Sequence, residues 1–211
     1  MRLTIESRRE SVKWNVPRKR MRKLPHGMAG DHCMSGQRRE DGGKRLQLLS
    51  FGNTERNHPF AVELPKRLPP ERFEWRVRTV APERSLYDGI QCVTMLPRLS
   101  DEEVREEYRQ ADLLCMPMLD SAANDVLLES MACGTPVMTN RVGGVPEYVK
   151  EDCNIVMPAD ASASDWADRL LELERDRDCL DAMRGPTRQW AKNFDWEIIA
   201  EDYRAMYREL E

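Results

Sequence analysis

The apolar and polar positions fall into two regimes along the chain. Up to residue 43 no period is sustained: Gly, Ser and Pro are scattered among charged side chains, around the basic run Arg18-Lys19-Arg20-Met21-Arg22-Lys23. Such a stretch builds no apolar face, so it reads as an irregular arm, with room for one short strand at 21–24. From residue 44 the pattern is regular. Leu46–Phe51 is a short apolar run closed by Gly52, the mark of a buried strand and its turn. A helix is expected over 59–68, with Pro59 near its first position. Residues 73–80 alternate apolar and charged side chains with the period of two of a half-buried strand. Residues 92–96 read as another short strand.

Ser100 and Glu103 then form a capping box: the Ser100 hydroxyl can accept from the Glu103 amide, and the Glu103 carboxylate can return to Ser100. The helix it opens runs through Val104, Tyr108 and Ala111. Residues 113–118 are the continuous apolar run of a central parallel strand. Asn124 or Asp125 caps a helix running through Glu129 to Cys133, and Gly134 stops it. A strand at 137–139, a Gly143-Gly144 loop, a short helix at 146–150 and a strand at 154–157 follow. Two helices close the chain. The first carries Trp166, Leu170 and Leu173 on one face. The second is capped by Asp195, with Phe194 stapled to Ile199. Its stripe Trp196, Ile199, Tyr203, Met206, Leu210 is expected to pack on the sheet. Strands alternating with helices give an α/β fold class, a Rossmann-like parallel sheet with helices on both faces. The domain reading is an irregular basic arm over 1–43 and one ligand-binding domain over 44–211.

Composition changes this picture little. Hydrophobic residues make up 40% and charged residues 33% of 211, the balance of a soluble globular chain. No apolar run approaches the ~20 residues of a membrane span, and no secretory leader is recognisable. The net charge of -4 is uneven, because residues 1–45 hold 13 of the 33 Lys and Arg but 5 of the 37 Asp and Glu. A basic arm on an acidic body suits a solubilising segment at a domain junction, or an anionic membrane surface; without interleaved aromatics it does not suggest nucleic acid. The six cysteines form no CxxC pair, and Cys115 and Cys133 sit in apolar segments as small core residues, a pattern of a reducing cytoplasm. The three histidines have no zinc-site spacing.

The chemistry gathers at 119–134. A buried strand ends near Met118, a loop of small and polar residues follows (Asp120, Ser121, Ala122, Ala123, Asn124), and a helix begins. Ligands of open α/β sheets bind outside the carboxyl ends of strands, and a helix N-terminus offers free amides and about half a positive charge to a phosphate. Glu129, one turn in, is an acceptor-only carboxylate that can receive two neighbouring hydroxyls, such as those of a ribose.

The run LLESMACGTPVMTNRVGGVPEYV, with the LS-DEE-x7-AD pattern before it and FDWEIIAEDYRAMY at the end, resembles the C-terminal, donor-binding domain of family 4 (group 1) glycosyltransferases of the GT-B fold. The resemblance spans residues 44–211. It implies a hexosyltransferase using a nucleotide-diphosphate sugar, with no metal or other cofactor. Carried over, Glu129 is the second glutamate of the family's E-x7-E and binds the donor ribose. Asn124, Asp125 and Val126 supply amides to the diphosphate and sugar, and Gly52 closes the first strand. The first glutamate of the pair falls on Ser121, with Asp120 one place earlier. Asn53 and His58 stand where the family has Arg and Lys; Arg56 between them is the cation left to grip phosphate. Residues 22–28 resemble the turn that joins the two GT-B halves. The reading is therefore a donor domain whose acceptor is held by a missing or separate N-terminal half, cytoplasmic and peripheral to a membrane through the arm. A non-catalytic nucleotide-sugar-binding subunit or a truncated fragment is the alternative.

Overall fold

The computed structural model describes Pro17 and residues 24–29, 44–80 and 82–209. The rest of the basic arm, with the strand expected at 21–24 up to Lys23, lies outside the described residues, as does Leu210. Six parallel strands form one sheet: β1 (Leu46–Phe51), β2 (Phe73–Arg78), β3 (Val93–Met95), β4 (Leu113–Met116), β5 (Val137–Asn140) and β6 (Ile155–Met157), in the order β3-β2-β1-β4-β5-β6. The inner strands β4 and β5 are buried at every position. That is what a parallel strand covered by helices on both faces requires.

The pleat sorts the core by parity. Leu48, Leu113, Cys115 and Met138 face one layer, with Trp75, Trp166 and Leu170. Leu49, Leu114, Met116 and Val137 face the other, with Tyr108, Leu128 and Met131. β2 keeps the alternation expected of it: Phe73, Trp75 and Val77 are buried, and the charged residues between them are half-buried. On that second face Arg76 pairs with Glu107 and Arg45 with Glu74.

The helices are α1 (His58–Ala61), α2 (Asp101–Gln110), α3 (Asp125–Ala132), α4 (Val145–Tyr148), α5 (Ala163–Arg175), α6 (Arg177–Ala191) and α7 (Trp196–Arg208). The Ser100–Glu103 capping box of α2 is formed in both directions. Three expectations are corrected. The helix expected over 59–68 is the single turn α1 followed by a 3-10 turn at Pro65–Arg67, because the second proline cannot continue an α-helical ladder. Three long helices close the chain, not two. The third, α6, hides behind Gly185-Pro186, a pair that reads as a breaker but sits inside the helix. It is held there by what it caps: Arg188 donates to the Cys133 carbonyl at 2.8 Å and Arg184 to the Gly134 carbonyl at 3.4 Å, satisfying the C-terminal end of α3. Finally, the apolar stripe of α7 does not lie on the sheet. Of the helix only Ile199 is buried, while Ile198 and Tyr207 are exposed.

What α7 holds instead is the strap at residues 24–29. Met28 donates to Phe194 O and accepts from Trp196 N, a bridge that seats its side chain in the core. Gly27 lies under the Trp196 ring, so close that a Cβ there would sit 2.6 Å from it. Cys92, Cys115, Cys153 and Cys179 are free thiols, whereas Cys133 is disulfide-bonded, contrary to its reading as a free core thiol. Among the described residues no helix is long and apolar enough to cross a membrane.

Candidate functional site

The strand order places the site. Going outward from β1 in one direction the chain runs to β2 and β3, and from β4 in the other to β5 and β6. The connections leave on opposite sides, so a crevice opens at the carboxyl ends of β1 and β4. A cleft of about 350 Å³ lies there. Its walls include Gly52, Arg56, Ser121, Asn124, Asp125 and Val126, all of them residues that the sequence singles out. Glu129, one turn further along α3, lies outside those walls.

Each side has a local cause. Gly52 ends β1 in the left-handed region, φ +97°, and the Arg56 guanidinium folds back over it to within 3.0 Å of where a Cβ would be. Arg56 donates from Nε to Phe51 O at 3.0 Å, from Nη1 to Thr54 O at 2.8 Å and from Nη2 to Asn124 Oδ1 at 3.3 Å. Three acceptors thus aim one planar cation at the start of α3. Burial lowers its pKa from the ordinary arginine value, and the nearby Tyr108 acts in the opposite sense. Asn124 is the N-cap of α3, its side chain accepting from Leu127 N at 3.4 Å. By helix geometry the amides of Asp125 and Val126 have no intrahelical acceptor. The anion-attracting end of α3 therefore opens on the cleft beside a half-buried guanidinium.

The loop between β4 and α3 is clamped from behind. Gly143, φ +47°, packs on the Ser121 backbone and the Asp120 carboxylate, and the Gly144 amide donates to Ser121 O. Ser121 is 5% exposed and its hydroxyl donates to Ala122 O at 3.3 Å. The loop is thus held where it is, with Asp120 exposed on the cleft wall. The Asp125 carboxylate, at the first turn of α3, meets His26 Nε2 of the strap at 2.6 Å. Among the described residues no three His, Cys, Asp or Glu side chains are grouped to hold a metal ion.

A family model described as glycosyl transferases group 1 matches residues 47–176, from β1 through α3 to the C-terminal end of α5. The chain belongs to the group 1 glycosyl transferases. A D-inositol 3-phosphate glycosyltransferase of Corynebacterium jeikeium is 36% identical over 119 residues, 56% of this chain and 28% of that protein. The corresponding Saccharomonospora viridis protein is 32% identical over 132 residues, 60% of this chain and 31% of its own length. The chain thus spans less than a third of the length of each of these two relatives. Sucrose-phosphate synthase from Thermosynechococcus elongatus shares the fold with a TM-score of 0.82 at 19% identity, covering 98% of this chain and 57% of that one. HepE of Anabaena, solved in complex with UDP-glucose, gives 0.80 at 14% identity over 96% of this chain and 61% of its own. The Rossmann-like unit is a GT-B domain.

Two residues of this group 1 domain look different in three dimensions than in sequence. His58, at the position where resemblance calls for lysine, is 6% exposed. Its Nε2 lies 3.1 Å from Gly52 O, which can only accept, so Nε2 carries the proton and Nδ1 accepts from Tyr87 OH at 3.0 Å. Both ring nitrogens are spent on the core, leaving the ring no phosphate to meet. Burial lowers the His58 pKa. A depressed histidine favours the neutral folded form, so its stability contribution is complete above the ordinary range near 6.5 and fades as pH falls below it. Urea-unfolding midpoints are expected to drop more steeply below about pH 6.5 in the native chain than in His58→Asn; equal slopes would remove His58 from the linkage.

The other residue is Tyr108 on α2. The sequence marks it only as a core-facing helix position. Its ring is 1% exposed and packs edge-on against Phe51 at 5.2 Å, and its hydroxyl donates to Glu129 Oε2 at 3.0 Å. Nothing in a helical period distinguishes such a tyrosine from a phenylalanine.

Proposed function

We propose that this domain binds a nucleotide-diphosphate sugar in the cleft at the carboxyl ends of β1 and β4, for transfer of its hexosyl group to an acceptor carried by the other GT-B half. The observation that carries the reading is the convergence of the α3 N-terminus and the Arg56 guanidinium on one cleft. In this account the diphosphate lies across the amides of Asp125 and Val126. Arg56 provides a delocalised cation beside it, suited to bidentate oxygen contacts. The donor ribose reaches Glu129, and the Asp120–Ser121 loop faces the sugar. Charge developing on the leaving diphosphate is met by the helix end and the guanidinium, without a metal ion. HepE, of the same fold, was solved with UDP and with UDP-glucose, which supports a nucleotide sugar as donor here. The basic arm against an anionic membrane surface completes the proposal.

A second reading, a binding subunit that retains the nucleotide pocket without transfer, is favoured by one observation. His58 is locked in the core, so Arg56 carries the cationic role that the family divides between two side chains. Replacing Arg56 by Ala is expected to weaken UDP or GDP binding about tenfold, on the scale of one charge-assisted hydrogen bond. Titration calorimetry checks it, and a dissociation constant within a factor of two of the native one would assign Arg56 to loop structure. Turnover of a nucleotide sugar by this chain with an added acceptor, set beside turnover with an N-terminal GT-B half supplied, separates the two readings.

A further inference from the structure

We propose that Tyr108 is a positioning residue for the nucleotide ribose: its buried hydroxyl fixes the Glu129 carboxylate in the orientation that receives two neighbouring ribose hydroxyls. The inference rests on the proposed ribose contact of Glu129 and adds the residue through which that contact is made selective.

The geometry points to orientation rather than packing alone. A glutamate on the first turns of a helix has three rotatable bonds, and its carboxylate ordinarily sweeps through several rotamers. Here one oxygen, Oε2, is held by a phenol that cannot itself move. The Tyr108 ring is wedged against Phe51 of β1, and its backbone carbonyl accepts from the buried Thr135 hydroxyl. That bond ties the end of α2 to the segment just beyond α3, so Tyr108 and Glu129 share one rigid frame. A carboxylate has about four acceptor sites, and one bond to a fixed donor sets the plane in which the others lie. Two adjacent ribose hydroxyls can then be received with little further loss of side-chain entropy.

The chemistry of the donor is suited to the task. Burial, then the adjacent Glu129, push the Tyr108 pKa well above the ordinary phenol value, so it remains an O–H donor wherever the protein is folded. Arg56 acts on the same phenol from the cleft side in the opposite sense. Tyr108 is therefore coupled electrostatically to both the cation proposed for the diphosphate and the carboxylate proposed for the ribose. A phenylalanine would fill the same volume and keep the Phe51 contact, so packing alone does not call for the hydroxyl.

The test compares UDP and GDP, each with its 2′,3′-dideoxy form, by titration calorimetry on the native chain, Tyr108→Phe and Glu129→Gln. With the tighter nucleotide, Tyr108→Phe is expected to weaken binding about five- to tenfold, the scale of one hydrogen bond to a charged group, and to leave the dideoxy form within twofold. Equal weakening of both forms makes Tyr108 merely structural and overturns the proposal. Selective weakening by Glu129→Gln without any by Tyr108→Phe overturns it too, while the ribose reading of Glu129 survives. If Glu129→Gln shows no ribose selectivity either, the reading beneath the proposal fails. On the native protein, the buried Tyr108 hydroxyl proton should shift in NMR spectra on adding the ribonucleotide and stay in place with the dideoxy form. A proton indifferent to both would contradict the proposal whether or not the variant folds.

Discussion

Replacing Gly143 by Ala is expected to cost about 2–5 kcal/mol of folding stability, the sum of placing a side chain in the left-handed region and of forcing atoms into a filled space. The backbone there has φ +47°, and an added Cβ would lie 2.8 Å from the Ser121 amide nitrogen and closer still to its carbonyl oxygen. Neither neighbour is a flexible side chain tip; both belong to the loop that enters α3. Relief therefore requires the Asp120–Ala122 loop to move off the Gly144 amide, which disturbs one wall of the cleft. Nucleotide affinity should fall with stability for that reason. Gly185→Ala makes the contrast. A Cβ there meets nothing within 4 Å, and the residue lies inside α6, so a gain of about 0.5–1 kcal/mol is expected. Urea unfolding of the two variants checks both signs; a Gly143→Ala chain as stable as the native one would show that the clamp is not needed.

The second large effect is at Glu129. Truncation to Ala should weaken nucleotide binding by ~1–3 kcal/mol, the range of charge-assisted hydrogen bonds, or about 5- to 150-fold. The same change leaves the Tyr108 hydroxyl without the acceptor it has at 3.0 Å. A buried donor without a partner costs about 1–3 kcal/mol, so some stability is lost as well. Glu129→Gln separates the two consequences, since its amide oxygen can still accept from Tyr108. It should retain most of the stability and lose most of the affinity. Calorimetry beside urea unfolding checks this, and an unchanged affinity in both variants would end the ribose role.

The position of Glu129 illustrates what the sequence made legible. Asn124 before an apolar-periodic run, and Gly134 after it, marked α3 to within a residue of its observed bounds. The apolar runs at β1 and β4 marked the two strands whose ends frame the cleft. Those features are local, and local chemistry is what a single sequence carries. The strand order, by contrast, is set by which hydrophobic faces pair across the whole chain. It was expected only as a parallel sheet.

The misses share a physical cause. Gly185-Pro186 breaks a helix in isolation, yet α6 persists because Arg184 and Arg188 cap carbonyls at the end of a neighbouring helix. The stripe on α7 has the period of a core helix, but period alone does not say against what a face packs; here Trp196 rests on the strap at His26 and Gly27. His58, which the sequence does not place among the site residues, is bound instead by its tertiary partners Tyr87 and Gly52, contacts no local pattern shows. The Arg56 guanidinium, the cation that the sequence already singles out, is turned onto the cleft by three acceptors that lie up to 68 residues apart from it in sequence.

Binding of a nucleotide-diphosphate sugar in this cleft is the proposal on which the other roles depend. It is tested most directly by titrating the purified chain with UDP-glucose and with a GDP-sugar in a calorimeter, native protein beside Arg56→Ala and Glu129→Ala. One-site binding of at least one donor, weakened by both substitutions, is the expected result. Absence of heat with either donor at millimolar concentration, or binding indifferent to both substitutions, would contradict it.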